Sequence, residues 1–331
     1  MAENAKKVIV DAHLDLSYNV TRGRDVTRPA AEQPRADNEV ATVGLPDLRA
    51  GGVGLICATI FCAPRNYQGF GYATADEARA MAMSQLTWYR QQVDDGRINF
   101  VKRRQEVEAI DATLAGPQRA ILLLEGADAL RTPDDAAEWF GYGLRACGLA
   151  WRRTRAAGGT EEPGPLTDFG RQLARALDDA GIIHDLSHLA DEAFWQLLEI
   201  AGGPVMASHS NCRAIVPTDR QLSDEMIRAI VRRGGVIGIN FYDRFLVPPD
   251  DYRRRPCTLA DVVRHVKHIC DLVCDATHVG LGTDLDGGLG RDDIPEEITT
   301  AADLPRVADA LSSAGFSDDD VTGIMGQNWL N

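Results

Sequence analysis

The strongest constraint on the fold is an alternation of short apolar segments with longer amphipathic ones along the chain. Eight segments are rich in Val, Ile, Leu and Ala and bounded by turn residues, as buried strands are. They are residues 6–10, 54–61, 119–124, 144–150, 181–186, 204–207, 235–240 and 278–282. Helical patterns lie between most of them, at residues 74–92, 166–180, 191–201, 223–233 and 258–274, and a last helix is predicted at 317–329.

Strands that alternate with helices favour a parallel sheet, because each connection is long enough for a right-handed crossover. Eight such units close naturally into a (β/α)8 barrel, so we predict a TIM-like barrel of the α/β class. A doubly wound open sheet is the alternative. No GxGxxG motif follows the first strand, and neither a repeat nor a linker-like segment interrupts the chain, so we expect one domain over residues 1–331. The Gly- and Pro-rich residues 157–164 and 287–295 are predicted to be long loops.

The composition argues against several kinds of partner. Thirty-five Lys and Arg against 49 Asp and Glu give a net charge of −14, which repels nucleic acid and anionic lipid surfaces. No apolar stretch approaches the ~20 residues of a membrane-spanning helix, and the first ten residues lack the apolar core of a signal peptide. Seven scattered cysteines favour reduced thiols. We therefore expect a cytoplasmic protein with neither a nucleic-acid nor a membrane partner.

Histidines and carboxylates stand at or just beyond the carboxyl ends of five predicted strands. Because i and i+2 residues of a strand point the same way, the first strand can direct two such side chains inward. In a barrel the carboxyl ends of all strands meet at one face, so we expect these residues to converge there. In chain order they are His13 and Asp15, Glu125, His188, His209, and the pair Asp284 and Asp286.

Imidazoles and carboxylates without thiolates suit Zn²⁺, Mn²⁺, Co²⁺ or Fe²⁺. Three His, one Asp and one Glu are too many ligands for one catalytic ion with an open position, but they fit two ions bridged by a carboxylate. Taken singly, His188 and His209 could serve in caps or turns, and Glu125 could pair with an arginine. Jointly, burying so many ionisable groups would cost several kcal/mol each. We therefore predict a binuclear metal site that activates a water near neutral pH.

Eight motifs, in order along the chain, resemble those of the membrane (renal) dipeptidases, peptidase family M19, a binuclear zinc branch of the amidohydrolase-like barrels. They are DAHLD (11–15), LLLEGADAL (122–130), HDLSHLADEAFW (184–195), ASHSNCRAI (207–215), LSDEMIRAI (222–230), RGGVIGINF (233–241), HVGLGTDLDGG (278–288) and GQNWL (326–330). The resemblance implies a distorted TIM-like barrel, often a homodimer, with two Zn²⁺. It also implies hydrolysis of dipeptides, including those with a D-residue at the C-terminal position.

By this resemblance the metal ligands divide into two sets. His13 and Asp15 would bind the first ion, His188 and His209 the second, and Glu125 would bridge them. The resemblance also assigns roles outside the metal site.

Two residues would act on the substrate. Asp284, the first Asp of GTDLDGG, matches the family's acid/base residue, and Arg220 matches the arginine that holds the substrate carboxylate by a bidentate fork. One position departs from the family, because Trp151 stands where a histidine is taken to stabilise the oxyanion. An indole N–H donates one hydrogen bond but carries no charge, and losing an oxyanion donor costs ~2.7–4 kcal/mol of transition-state stabilisation.

Trp151 and the neighbouring Arg152 are therefore predicted to contact substrate; alternatively, the indole is apolar filling at the barrel mouth and the arginine is solvated. Three functions follow. The first is a binuclear zinc dipeptidase with Glu125 and Asp284 as catalytic residues. The second is a related amidohydrolase acting on another small amide, such as an N-acyl or N-methyl amino acid. The third is a barrel that binds without catalysis, against which five intact ligand positions argue.

Overall fold

The computed structural model describes residues 8–65, 71–110, 114–252 and 254–331. Within them, the strands are β1 (Ile9–Leu14), β2 (Val53–Phe61), β3 (Ile98–Phe100), β4 (Gln118–Glu125), β5 (Leu144–Gly148), β6 (Ala157–Gly159), β7 (Glu162–Leu166), β8 (Ile183–Asp185), β9 (Val205–Met206), β10 (Ile237–Ile239) and β11 (Val279–Leu281).

The α-helices surround these strands, and 3-10 turns occur at Ala30–Glu32, Ala127–Ala129, Arg291–Asp293 and Ala301–Asp303. The helices are α1 (Leu16–Thr21), α2 (Leu45–Ala50), α3 (Ala75–Asp94), α4 (Arg104–Glu108), α5 (Asp135–Tyr142), α6 (Asp168–Ala180), α7 (Asp191–Ile200), α8 (Asp224–Arg232), α9 (Asp243–Leu246), α10 (Leu259–Val273), α11 (Pro305–Ser313), α12 (Asp318–Thr322) and α13 (Asn328–Leu330). In the part of the chain that the structure describes, none of these helices has the length and apolar content needed to span a bilayer.

Eight parallel strands form a barrel, in the order β10-β11-β1-β2-β4-β5-β8-β9. The circle closes between β9 and β10 by one parallel bridge, Ala207 to Ile237, with the Ala207 N–H donating to the Val236 carbonyl at 3.0 Å. This closure confirms the predicted TIM-like barrel over the open sheet. The barrel is distorted there, because β9 contains two residues and pairs with β10 only through that bridge.

The barrel interior is filled by small and medium apolar side chains. Ala12, Cys57, Leu123, Ala146 and Met206 come from five strands and pack on one another as a buried cluster. Strands so far apart in the sheet can touch only on its concave side, so this cluster marks the axis. Residues two positions further along a strand point the same way, which aims the last residue of β4 at the axis above the cluster.

The predicted strands all exist, but several ends differ. The first strand was predicted at 6–10, whose first two residues lie outside the described residues; β1 runs from Ile9 to Leu14, so His13 lies within the strand. The Gly- and Pro-rich residues 157–164, predicted as a loop, contribute to a two-stranded antiparallel hairpin, β6 and β7. The hairpin extends to Leu166, so α6 begins at Asp168 rather than at residue 166.

The closing helix predicted at 317–329 is divided. A π-helical turn, Gly323–Gln327, separates α12 from α13. A Cβ at Gly326 would lie 2.3 Å from the carbonyl oxygen of Val8, so glycine is needed where this turn approaches the start of β1. The turn shifts the last residues, and the Trp329 indole N–H donates to the Leu281 carbonyl at 3.1 Å.

The close approach of β10 to the chain after β9 gives a test of the barrel. A Cβ at Gly238 would lie 1.9 Å from the Ser208 carbonyl oxygen, so we expect Gly238→Ala to lower the free energy of unfolding by about 3 kcal/mol. Gly148→Ala in β5 is the control, because its Cβ would meet no atom closer than 3.7 Å. Urea denaturation measures both, and equal unfolding free energies for the two variants would contradict the packing described.

Candidate metal centre

Glu125, the last residue of β4, lies at the centre of the predicted ligand set. Its Oε1 is 3.0 Å from His188 Nε2 and 3.4 Å from His209 Nε2, and its Oε2 is 3.5 Å from His13 Nε2. Asp15 Oδ2 lies 3.8 Å from the same His13 nitrogen. The structure thus brings all five residues together, and Glu125 stands between a His13 and Asp15 side and a His188 and His209 side, as a bridging ligand would.

The local backbone explains how short strands deliver these side chains. His13 lies within β1 and Asp15 follows it directly, whereas His188 and His209 each come three residues after the end of a short strand. His188 has a φ of +67°, a left-handed conformation that costs non-glycine residues free energy and occurs often at functional sites. Its Nδ1 lies 3.0 Å from the Thr160 hydroxyl at the tip of the β6–β7 hairpin, which fixes the ring.

Several buried nitrogen and oxygen atoms are arranged as the ligands of a cation would be. His13 Nε2 and Asp15 Oδ1 are buried and have no hydrogen-bond partner there. His188 Nε2 and His209 Nε2 lie 2.9 Å apart, as two imidazoles converging on one ion would. Nitrogen and carboxylate oxygen donors are those preferred by Zn²⁺ and similar divalent ions. The residues present therefore fit metal ions, which would be held in two groups sharing Glu125.

The electrostatics also favour added positive charge. Although burial lowers the pKa of His13, the negative charges of Glu125, Asp15 and Asp284 raise it to about 10. Burial raises the pKa of Asp15 well above its ordinary value, and the charges of Glu125 and Asp284 add to this effect. The carboxylates thus draw a cation to the point where they meet. A divalent ion would satisfy this demand without placing a proton on a metal ligand.

The other two histidines are held neutral. Burial lowers the pKa of His188 to about 4, assisted by the positive charge of Arg220. Burial also lowers the pKa of His209 well below its ordinary value, with His13 and Arg220 adding to the shift. Neutral imidazole is the form that binds a metal, so both rings are prepared as ligands.

Asp284 lies in a tight turn beyond β11, beside the metal ligands. Its φ is +60°, its Oδ2 accepts a hydrogen bond from Asn240 Nδ2 at 2.9 Å, and a Cβ at Gly287 would lie 1.8 Å from its Oδ1. Burial raises the pKa of Asp284 to about 7; the Glu125 charge acts in the same direction, and His13 and Arg220 oppose it. A carboxyl group that titrates near neutral pH can both accept and return a proton.

Arg220 is buried against the second group of ligands. Its Nη1 donates to the Ser210 hydroxyl at 3.0 Å and its Nη2 to the His209 carbonyl at 2.5 Å, which orients the guanidinium. The cation also lies 5.4 Å from the ring centroid of Phe245. Burial lowers the pKa of Arg220, an effect opposed by Asp284 and Glu125.

A cavity of about 310 Å³ opens above the ligands, large enough for a small molecule. Trp151 packs at 5.1 Å from the ring of Phe61 and 6.2 Å from that of His188. Arg152 forms an ion pair with Glu161. The lining also includes Tyr18, Thr160, Arg220, Tyr242, Arg244, Phe245, Asp284 and Leu289. Trp151 and Arg152 thus lie on the cavity wall, where the sequence places them.

Asp286, the other carboxylate predicted at the eighth strand end, does not join the cluster. Its carboxylate accepts hydrogen bonds from the Thr42 N–H and hydroxyl and from the Val43 N–H, and pairs with Arg24 at 3.0 Å. It also has a positive φ, +64°, and its carbonyl accepts from Asn19. Asp286 therefore anchors residues 42–43 to the barrel mouth. Its i+2 relation to Asp284 does not place both on one face, because neither lies within a strand.

Some residues that support the site are not evident from the pattern of strand ends. Asn240, which orients Asp284, is one. Ser208, which contacts His13 and His209, and Asp185, which accepts the Ser208 hydroxyl hydrogen, are others. The available signal was their position, since each lies at or just after a strand end, but small polar residues in turns are common.

A barrel of this kind with two nitrogen and oxygen ligand groups at its carboxyl face is that of a metal-dependent hydrolase. A family model described as membrane dipeptidase (peptidase family M19) matches residues 4–331, and the chain belongs to that family of metallo-dipeptidases.

Two solved structures of metallopeptidases are similar to this chain over almost its whole length. The chain aligns over 98% of its length with the dipeptidase AC, a metallopeptidase of family M19, covering 97% of it at 26% identity and a TM-score of 0.82. It aligns equally well, at 25% identity, 98% coverage of each chain and a TM-score of 0.82, with a Rhodobacter sphaeroides metallopeptidase liganded with a phosphinate mimic of L-Ala-D-Ala.

Among curated sequences, a Klebsiella pneumoniae protein from the pqqA 5′ region, described as uncharacterized, is 32% identical over 205 residues, 59% of this chain and 73% of that protein. The dipeptidase tcpJ of Claviceps purpurea is 32% identical over 166 residues, 49% of this chain and 36% of that protein. The match thus spans little more than a third of the fungal dipeptidase.

Glu125→Gln tests the bridging position. An amide cannot offer two anionic oxygens. After loading with Zn²⁺ and dialysis, we expect this variant to retain less than half of the zinc that wild-type protein retains after the same treatment. Glu161→Gln is the matched control, because Glu161 lines the same cavity but pairs with Arg152. Elemental analysis gives the zinc content, and a Glu125→Gln protein with wild-type content would show that Glu125 is not a ligand.

Proposed function

We propose that this protein is a binuclear zinc dipeptidase that hydrolyses the peptide bond of small dipeptides, including those with a D-residue at the C-terminal position. The observation that carries the proposal is the meeting of His13, Asp15, His188 and His209 around Glu125. Divalent cations held there would lower the pKa of a water and polarise the scissile carbonyl.

The chain's own groups supply binding and proton transfer. Arg220, buried and held by Ser210 and the His209 carbonyl, offers its remaining N–H groups to the substrate carboxylate. Asp284, held by Asn240 and titrating near neutral pH, takes a proton from the attacking water and delivers it to the leaving amine. Both residues line the cavity that contains Glu125, so substrate, base and metal ligands share one space.

The proposed D-residue rests on a relative. The Rhodobacter sphaeroides metallopeptidase that shares this fold binds a mimic of L-Ala-D-Ala, and the cavity here is of dipeptide size. Bulky aromatic side chains in the walls limit the space, and among the described arginines of the lining only Arg220 is buried. Both features suit a substrate with one carboxylate and short side chains.

Dipeptide hydrolysis is the direct test. We expect zinc-loaded protein to cleave L-Ala-D-Ala and L-Ala-L-Ala, measured by release of free amino acid, and to lose activity in chelator. Asp284→Asn should reduce kcat by roughly 10²–10⁴-fold while zinc content is retained, because the amide cannot accept the proton. A metal-loaded protein that cleaves no member of a broad dipeptide panel would refute the substrate assignment.

Trp151 supports a second candidate, a metal-dependent hydrolase of another small amide such as an N-acyl amino acid. The indole stands 6.2 Å from His188 by ring centroids, where the family resemblance puts an oxyanion-binding histidine. If the native substrate develops less negative charge at that point, or is apolar there, tryptophan would serve it better than histidine.

Trp151→His separates the two candidates. For a dipeptidase already matched to its substrate, we expect kcat/KM for dipeptides to change by less than about threefold. A gain of roughly 10²–10³-fold, the size of one oxyanion donor, would favour the other amide as the native substrate. Trp151→Phe is the control, since it removes the N–H but keeps the ring that packs on Phe61.

A further inference from the structure

One hydroxyl group contacts metal ligands on both sides of Glu125. Ser208 Oγ lies 3.1 Å from His13 Nδ1 and 2.7 Å from His209 Nδ1. It also lies 2.5 Å from Asp185 Oδ2. All three side chains are buried, as is Ser208, so water does not compete for these bonds. A third group of ligand-type residues, His13, Asp185 and His209, thus surrounds a hydroxyl rather than a candidate ion.

Counting protons decides the direction of each bond. A serine hydroxyl has one hydrogen to donate and two lone pairs that accept. The Asp185 carboxylate can only accept, so the single hydroxyl hydrogen is directed at Asp185 Oδ2. Both lone pairs of Ser208 Oγ are then left to accept. The two imidazole Nδ1 atoms, at 3.1 and 2.7 Å, lie closer than the Ser187 hydroxyl, whose oxygen at 3.5 Å is beyond the usual O–H···O distance, so each ring donates its Nδ1–H to one lone pair.

The orientation of Asp185 is itself fixed by the backbone. Its Oδ1 accepts the N–H of Ser187 at 3.1 Å and the N–H of Ser208 at 2.9 Å. These two donors hold that oxygen in place, and the other oxygen is thereby aimed at the Ser208 hydroxyl. The backbone thus orients the Asp185 carboxylate, the carboxylate orients the Ser208 hydroxyl, and the hydroxyl contacts the rings of His13 and His209.

We propose that Ser208 and Asp185 are positioning residues that set the tautomer of His13 and His209 together, leaving the Nε2 lone pair of each ring directed at the metal centre. Because His13 belongs to one ligand group and His209 to the other, a single hydroxyl prepares one ligand for each ion. A hydrogen-bond partner on the ring nitrogen that does not bind the metal fixes the tautomer and the orientation of a histidine ligand. Removing such a partner typically weakens metal binding by roughly 10–100-fold. This inference rests on the proposed metal centre and is independent of the substrate.

Ser208→Ala removes both imidazole contacts at once. We expect zinc titration, with a competing chelator as reporter, to show both ions bound roughly 10–100-fold more weakly than in the wild type. Thr160→Val is the matched comparison: it removes the hydroxyl that contacts His188 alone, so only one of the two affinities should fall.

Ser187→Ala controls for loss of a buried hydroxyl as such. The Ser187 hydroxyl accepts the His209 backbone N–H and a hydrogen bond from the Ser210 hydroxyl, and it lies 3.5 Å from the Ser208 hydroxyl. Among the described residues it contacts no imidazole nitrogen, so its removal leaves both imidazole bonds of Ser208 in place. Both zinc affinities should stay within about threefold of wild type. If Ser208→Ala matches Ser187→Ala, the proposal is wrong; if the wild type itself binds no zinc, the metal centre is wrong.

Asp185→Asn gives a sharper test, because it reverses one bond. The amide oxygen must face the two backbone N–H donors, so the amide NH2 faces Ser208 and donates to its oxygen. The Ser208 hydroxyl must then donate its hydrogen to the Nδ1 atom of one imidazole. That ring is left as the tautomer with its own hydrogen on Nε2, which cannot bind a metal through that atom. We expect one zinc to be weakened much more than the other, and equal affinities of wild-type size would overturn the proposal.

Nuclear magnetic resonance of the wild type tests the tautomers without any variant. In protein labelled with ¹⁵N-histidine and loaded with Zn²⁺, His13 and His209 should each show a protonated Nδ1 and a zinc-bound Nε2. Assignment follows from the loss of signals in His13→Asn and His209→Asn. A proton on Nε2 of either ring, or zinc bound through Nδ1, would refute the assignment.

Discussion

Closure of the sheet is the constraint on which the site depends. Glu125 comes from β4, whereas His209 follows β9 on the far side of the sheet, and the two meet only because the strands curve into a circle. The closing bridge at Ala207 and Ile237 lies two residues before His209. In a flat, open sheet β5 and β8 would separate the ends of β4 and β9, so Glu125 and His209 could not approach each other.

The same convergence leaves the metal-free cluster electrostatically unfavourable. Three buried carboxylates share a small volume, and their charges act on His13 and on one another. Protein groups satisfy part of this demand: Asn240 donates to Asp284, and Arg220 lies nearby. Two atoms of one ligand group, His13 Nε2 and Asp15 Oδ1, are buried without a hydrogen-bond partner in the described residues. A cation held by that group would satisfy both, so binding it should add stability.

Much of the fold was accessible from the sequence because buried parallel strands are continuous apolar runs. Val53–Phe61 and Gln118–Glu125 were predicted within one residue at each end for that reason. The hairpin at Ala157–Leu166 was missed, because glycine and proline normally end strands and here they form them. β3 was missed because three residues are too few to show a period.

The candidate metal ligands could also be predicted from the sequence, because a barrel makes the ends of its strands neighbours. The structure brings together the five ligand positions predicted from the sequence. The sequence did not predict in which direction each side chain points. Asp284 and Asp286 look equivalent, yet the left-handed backbone at both turns one toward the ligands and the other toward Thr42. The role of Ser208 could not be predicted, since it depends on three partners up to 195 residues away in the chain.

The floor and the walls of the cavity come from different parts of the chain. Strand ends make the floor, whereas much of the wall lies outside the strands, including the segment around Trp151 and the one from Tyr242 to Phe245. Residues in those two segments can change in size or charge without altering the barrel register. New substrate preferences could therefore evolve, or be engineered, by exchanging these two wall segments while the residues at the cavity floor stay unchanged.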